Sequence, residues 1–304
     1  GLSRTNIYYA KKFYLLYSQY LKIVPQVVGQ LENCKAQQTV KDSSEIVPQA
    51  VGQLEEMLFS IPWGHHRYLI DRYGTEPAKA FFYVKKTMQE GWSRDVLLNL
   101  MDSDLYEREG KALTNFTRTL PDETSDLAQE LTKDPYNFAF TGITKPYNEQ
   151  LLKDALLANI SQFLLELGTG FAYIGKEYRL QIGQKEKFID LLFYNLNLSC
   201  YVVIEVKIGE FDFQDLGQLS GYVVACNHIL RKEGRDNPTI GLLICRQKDS
   251  MLAQYALEGS NLPLGISEYD LEKLYPEKVE GTIPTIEEIE ARLGENLNGE
   301  QNEL

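Results

Sequence analysis

Residues 188–207 read FIDLLFYNLNLSCYVVIEVK. Two apolar segments, 188–194 and 200–207, flank the short polar turn that begins at Asn195. Apolar runs of this length separated by a turn predict two neighbouring β-strands. Each strand nevertheless carries an acid, Asp190 in the first and Glu205 in the second, and Lys207 follows two residues later. This acid-bearing hairpin decides the fold.

The charged residues of the hairpin predict a metal site. Side chains alternate along a strand, so Glu205 and Lys207 share one face, and the tight turn can bring Asp190 beside them. A lone carboxylate in an apolar strand is costly to bury unless it is paired or bound to a cation. Two carboxylates and a lysine form an oxygen-lined site suited to Mg²⁺. The alternative is a structural ion pair between Lys207 and one of the acids.

The sequence around the hairpin alternates between helical and strand patterns. This alternation predicts a mixed sheet flanked by helices. The expected helices are 148–167, 212–231 and 249–258, and the expected further strands are 171–174, 177–182, 239–245 and 263–269.

The sequence before residue 134 has a different, largely helical pattern. A ten-residue segment, Ile23–Glu32, recurs at 46–55 with one difference, which indicates a local duplication. Breaker residues such as Pro135, Gly142 and Pro146 then mark a boundary. We therefore predict an α + α/β protein with a helical domain at 1–133 that binds DNA or a partner, a linker at 134–147, an α/β domain at 148–270, and an acidic helix and tail at 271–304.

Composition limits the classes of protein. With 304 residues, 43% of them hydrophobic, the chain is too apolar for a disordered protein, and no apolar run predicts a membrane segment. The four cysteines are scattered and form no CxxC pair, which argues against a disulfide framework or a zinc site. We find no signal segment and expect a cytoplasmic location. Because the first residue is Gly1, we expect a piece of a longer product.

Taken alone, the net charge of −12 disfavours binding to nucleic acid. Residues 268–304, however, hold eleven acidic and three basic residues, so most of the excess belongs to the tail. The remaining body is nearly neutral, and nucleic-acid binding is not excluded. The sequence has no phosphate-binding loop, so we expect no nucleotide cofactor.

The motifs resemble those of the PD-(D/E)XK nuclease superfamily. Asp190 and Glu205-Val206-Lys207 correspond to its signature, although Ile189 stands where the superfamily name has Pro. Gln218 and Tyr222 are similar to the QxxxY element of the RecB-like branch. Further segments resemble the YhcG family of PD-(D/E)XK domain proteins, namely 61–66, 91–93, 134–138, 163–171, 188–194 and 241–246.

The resemblance implies a restriction-endonuclease-like domain that cleaves DNA with Mg²⁺, or with Mn²⁺ as an alternative. It implies that Asp190 and Glu205 are metal ligands and Lys207 the catalytic lysine, with Gln218 and Tyr222 as additional active-site residues. Glu166 matches a helix glutamate that many of these nucleases add to the metal site, although it is equally explained as a surface carboxylate. The resemblance also allows a homodimer.

The N-terminal helix is a candidate DNA-binding element. Its side chains include types that reach phosphates and base edges, but its aromatic residues would serve a helical interface equally well. The rival function is a non-catalytic module for binding nucleic acid or protein, in which the nuclease-like fold supports an assembly. The candidate DNA-binding residues are Arg4, Asn6, Lys11 and Lys12.

Overall fold

The computed structural model describes residues 3–18, 56–144 and 146–272. Both copies of the duplicated segment and nearly all of the predicted acidic tail lie outside these ranges. The helix predicted after residue 271 therefore stays a prediction. Among the described residues, no helix is both long enough and apolar enough to cross a membrane.

The N-terminal region is a helical bundle. Ser93 caps the helix that begins at Arg94 by accepting a hydrogen bond from the backbone N–H of Val96. The bundle core is rich in tyrosine, with Tyr17 and Tyr83 almost fully buried. The helices are α1 (residues 4–18), α2 (residues 56–60), α3 (Trp63–Tyr73), α4 (Pro77–Glu90), α5 (Arg94–Asp102) and α6 (Leu105–Arg108).

The C-terminal region contains a mixed sheet, so the expected α + α/β architecture is confirmed. In the order β1-β7-β6-β5-β4-β3, the strands β5, β6 and β7 run parallel, and β3, β4 and β5 form an antiparallel meander. The strands are β1 (Leu113–Thr114), β2 (Tyr136–Asn137), β3 (Phe171–Ile182), β4 (Lys185–Asn195), β5 (Cys200–Glu210), β6 (Ile240–Gln247) and β7 (Leu264–Asp270).

Helices cover both faces of this sheet. On one face, α9 (Glu149–Ala158) and α10 (Ile160–Leu167) pack on side chains such as Leu191 and Ile204. The expected single helix over 148–167 is thus two helices, which meet at Asn159. On the other face, α11 (Phe213–Ile229) and α12 (Ser250–Glu258) connect the three parallel strands and cover Val203 and Leu243.

The boundary between bundle and sheet lies earlier than residue 133. Strand β1 pairs with β7, and α7 (Phe116–Thr119) and α8 (Asp122–Glu130) contribute Phe116 and Ala128 to the sheet core. The segment predicted as a linker also belongs to that core, since β2 pairs with β7 and Phe138 is fully buried. The sequence pattern predicted a largely helical region here but not the individual helices or the surface on which they pack.

Candidate active site

Asp190 and Glu205 meet where two strands separate. The last paired residues of β4 and β5 are Leu191 and Ile204, and the next positions in the same register are Asp190 and Glu205. The backbone N–H of Asp190 donates a hydrogen bond to Oε1 of Glu205 at 3.4 Å, in place of a bond to the backbone of β5. The strands therefore place both carboxyl groups at one point, as the hairpin pattern predicted.

Helix α11 holds the second oxygen of Glu205. Gln218 donates from Nε2 to Oε2 of the fully buried Glu205 at 3.2 Å. The same amide nitrogen lies 3.4 Å from the hydroxyl oxygen of Tyr222. Gln218 and Tyr222 are four residues apart and so lie on the same side of α11. The structure thus brings both residues to the predicted carboxylates.

Asp190 is bound on its other side by a lysine that the sequence analysis did not identify. Nζ of Lys153, on α9, lies 2.6 Å from Oδ1 of Asp190, and the two side chains are 9% and 14% exposed. Oδ2 of Asp190 is buried and has no hydrogen-bond partner among the described residues. One oxygen of Asp190 is therefore paired, and the other is available to a ligand.

Lys207 also reaches α9. Its Nζ lies 3.8 Å from Oε1 of Glu149, and its side chain is 17% exposed. Glu149 and Lys153 are one helical turn apart, and this spacing places both side chains toward the strand ends. That spacing, next to the buried Leu152, is the sequence signal that could have identified them.

The electrostatics of the cleft are dominated by its two acids. Burial raises the pKa of the Glu205 carboxyl, and the nearby carboxylate of Asp190 raises it further. Burial alone would lower the pKa of Lys153, but its hydrogen bond to Asp190 and the adjacent carboxylates produce a net increase. Both shifts follow from two acids sharing a dry cleft.

These residues fit a divalent cation bound through oxygen. The buried, unpartnered Oδ2 of Asp190 lies in the same cleft as Glu205. In the part of the chain that the structure describes, no three His, Cys, Asp or Glu side chains converge. The protein would thus contribute two carboxylates, which suits Mg²⁺ because that ion keeps several waters and is often held by one or two carboxylates plus substrate phosphates.

Glu166 is not part of this cleft. Its Oε1 accepts hydrogen bonds from Nη1 of Arg108 at 2.5 Å and from the backbone N–H of Asn137 at 2.8 Å. Its Oε2 lies 3.4 Å from Nη2 of the same arginine. Both oxygens are therefore engaged in a buried ion pair between α6 and α10. The expectation that Glu166 binds the metal is corrected, as is its alternative as a surface carboxylate.

The predicted DNA-binding residues lie on α1. Arg4, Asn6 and Lys11 are exposed, while Lys12 is half-buried with its Nζ 4.7 Å from the ring centroid of Tyr8. The opposite side of α1 packs into the bundle core. The geometry leaves these four side chains accessible or partly so, and their binding to DNA stays a prediction.

Two family models match this chain. Residues 129–284 match the YhcG PDDEXK nuclease domain, and residues 1–108 match the DUF1016 N-terminal domain. A curated protein described as "Putative nuclease YhcG", from Escherichia coli (strain K12), is 33% identical over 195 residues. The match covers 63% of this chain and 52% of that protein, so the chain spans about half the length of its curated relative.

Solved structures with partial similarity include a complex described as EndoMS with double-stranded DNA. It is 20% identical, covers 41% of this chain and 46% of its own, and has a TM-score of 0.30. A repair endonuclease from Pyrococcus abyssi is 21% identical, covers 43% of this chain and 50% of its own, and has a TM-score of 0.29.

Proposed function

Because this chain belongs to the family of YhcG PDDEXK nuclease domain proteins, we propose that it is a Mg²⁺-dependent nuclease that hydrolyses phosphodiester bonds of DNA. Mn²⁺ would serve as an alternative cation. The observation that carries the proposal is the convergence of Asp190 and Glu205, with one buried carboxylate oxygen unpartnered, beside Lys207. Two neighbouring carboxylates with one nearby lysine leave negative charge that a bound cation would offset.

In this proposal Asp190 and Glu205 hold the cation. When bound, it polarises the phosphodiester and lowers the pKa of a coordinated water. Gln218 fixes Glu205 by donating to Oε2, and Tyr222 supports the Gln218 amide. Groups that orient a metal-binding residue in this way influence affinity and rate although they do not touch the metal.

Lys207 is the proposed catalytic lysine. Its side chain is mostly buried yet reaches the open end of the cleft, where Glu149 lies 3.8 Å from its Nζ. Glu149 helps to direct the ammonium group into the cleft. From there the ammonium can donate hydrogen bonds to a phosphate oxygen or to the attacking water, so that it stabilises charge that develops in the transition state.

A cleavage panel tests this function. The substrates are linear, circular, single-stranded and branched DNA, together with RNA, each incubated with Mg²⁺ or Mn²⁺. We expect metal-dependent cleavage by the wild-type chain. Asp190→Ala and Lys207→Ala should abolish cleavage but leave DNA binding intact. Lys176→Ala is the matched control, because Lys176 pairs with the exposed Asp154 rather than with the site acids.

The same panel separates the rival function. A non-catalytic module would bind one of these nucleic acids and cleave none of them, with or without metal. Cleavage that persists in Asp190→Ala would contradict the assignment of the site. Cleavage of RNA but of none of the DNA substrates would support the nuclease function and would change the proposed substrate from DNA to RNA.

A further inference from the structure

The β3–β4 hairpin continues past the point where β4 leaves β5. Pairing of β4 with β5 stops at Leu191 and Ile204, whereas pairing of β4 with β3 continues to Ile182 and Lys185. Residues 178–189 therefore form a two-stranded arm, called here the β-arm, and Asp190 stands at its base. The arm is thus continuous with the catalytic cleft.

One side of the β-arm is anchored on α11. Leu180 and Ile189 are buried and belong to the same hydrophobic core as Leu219 and Val223 of that helix. Alternation of side chains breaks at Leu191, which lies on the face covered by α9, but within the paired arm it holds, so the neighbours of Ile189 in β4 point away from α11. One of these neighbours is Asp190, and it meets Lys153 on the opposite face of the sheet.

The other neighbour of Ile189 is Phe188, which therefore points to the same side as Asp190. Its side chain is 49% exposed. Arg179 pairs with Phe188 in the register of β3 and β4. Its neighbours in β3, Tyr178 and Leu180, lie on the α11 side, so the side chain of Arg179 lies on the same face as that of Phe188. Phe188 is two residues from Asp190, which corresponds to about 7 Å along a strand. An exposed ring thus stands within reach of a nucleotide bound at Asp190.

The charge of the arm favours an anionic partner. Residues 178–189 include three basic residues and one acidic residue, in a chain whose net charge is −12. Lys185 and Lys187, near the tip, are exposed. Arg179 is exposed as well, with its guanidinium 3.0 Å from Glu186. A local excess of basic residues beside an exposed aromatic ring is the combination that binds single-stranded nucleic acid, through phosphates and base stacking.

We propose that the β-arm binds the substrate strand and that Phe188 stacks on an unpaired base next to the scissile phosphodiester. The proposal rests on the proposed nuclease function and adds a substrate class to it, namely strands with unpaired bases at the cleavage position. A base inside an intact duplex is already stacked on its neighbours and presents no free face to the ring. Arg179, on the same face as Phe188, contacts the backbone, and the exposed Lys185 and Lys187 add positive charge near the tip.

Binding to matched probes tests the proposal. The probes are a fluorescent single-stranded DNA and its blunt duplex, titrated with the full chain in Ca²⁺, with intact probe verified on a gel. We expect Phe188→Ala to weaken binding of the single strand about 5- to 100-fold, the range that one lost stacking contact gives. Phe188→Tyr, which keeps a ring, should bind within about threefold of wild type. Tyr255→Ala removes a ring that is 57% exposed on α12 and should leave the affinity unchanged.

Quenching of 2-aminopurine fluorescence measures base stacking directly. We expect 2-aminopurine placed at successive positions of the single strand to be quenched at one position by wild type and Phe188→Tyr, but not by Phe188→Ala. If Phe188→Ala binds the single strand as tightly as wild type and quenches 2-aminopurine to the same extent, the proposed role of the arm is overturned, while the nuclease function is unaffected. A wild-type chain that binds neither probe would contradict the nuclease function itself, and with it this inference.

Discussion

Nζ of Lys153 lies 2.6 Å from Oδ1 of Asp190, in a cleft where Oδ2 of the same carboxylate has no partner among the described residues. The lysine ammonium supplies one positive charge to a pair of buried acids. This arrangement pairs one oxygen of Asp190 with a positive charge and leaves the other oxygen available to a cation. Lys153 therefore offsets part of the negative charge of the two acids, and it would also repel a cation that binds beside Asp190.

Replacing Lys153 should therefore change metal binding. Lys153→Gln keeps a hydrogen-bond donor for Asp190 but removes the positive charge that repels a divalent cation. We expect Mn²⁺ to bind on the order of tenfold more tightly, equivalent to about 1.4 kcal/mol. We also expect a lower melting temperature without metal, because a buried carboxylate loses its counter-ion. Isothermal titration calorimetry and thermal unfolding measure the two effects.

Lys176→Gln is the control for this prediction, since Lys176 lies on β3 and pairs with Asp154 of the same helix as Lys153. Its Mn²⁺ affinity should equal that of wild type. Weaker Mn²⁺ binding in Lys153→Gln would show that Lys153 organises Asp190 rather than competing with the cation.

Gln218 and Tyr222 should have graded effects on catalysis. Gln218→Leu leaves Oε2 of Glu205 without its donor, and we expect a loss of about 10- to 100-fold in cleavage rate or metal affinity. Tyr222→Phe removes only a hydroxyl that contacts Gln218, so its effect should be smaller. Single-turnover cleavage over a range of Mn²⁺ concentrations compares the variants. A larger loss in Tyr222→Phe would assign the tyrosine a direct contact with substrate.

Glu166→Gln should affect stability rather than metal binding. The change leaves Arg108 buried without its counter-charge, and breaking a buried ion pair costs about 3–5 kcal/mol. Urea unfolding should show this loss, while Mn²⁺ affinity stays at the wild-type value. The opposite result, unchanged stability with weakened Mn²⁺ binding, would restore Glu166 as a metal ligand.

His66 should make the helical bundle sensitive to acid. Its Nε2 donates to the carbonyl oxygen of Leu58 at 2.7 Å, and its Nδ1 lies 3.3 Å from the hydroxyl oxygen of Tyr17. Burial lowers the pKa of His66 below its usual value. The unfolded chain therefore takes up a proton first as the pH falls through about 6.5, and stability decreases until the pH reaches the lowered pKa of the folded state.

The pH dependence of thermal unfolding checks this prediction. Between pH 7.5 and 5.5, the melting temperature of wild type should fall more than that of His66→Gln, whose amide offers a donor and an acceptor but does not titrate. Parallel curves for the two proteins would mean that His66 does not contribute to acid sensitivity.

The sequence predicted the parts of the site that depend on local periodicity. Strand alternation and a short turn predicted that Asp190 lies close to Glu205, as the structure has it. A spacing of four residues places Gln218 and Tyr222 on one side of a helix. Such relationships are set by the geometry of one element or one hairpin, so they can be inferred without tertiary structure.

The relationships that sequence analysis missed are long-range. Lys153 meets Asp190 across 37 residues, and Glu166 meets Arg108 across 58. Nothing in the helical pattern around Glu166 indicates a buried arginine, so the family resemblance suggested a metal ligand instead. Likewise, β1 and α7 pack on the sheet because they lie against β7, which comes about 150 residues later in the chain.

The central claim is that Asp190 and Glu205 together hold one divalent cation. Calorimetric titration of Mn²⁺ into the wild-type chain, Asp190→Asn and Glu205→Gln, without nucleic acid, tests it most directly. We predict one binding site in the wild type and at least about tenfold weaker binding in each variant. A wild-type isotherm that both variants reproduce would contradict the claim, because the cation would then bind elsewhere.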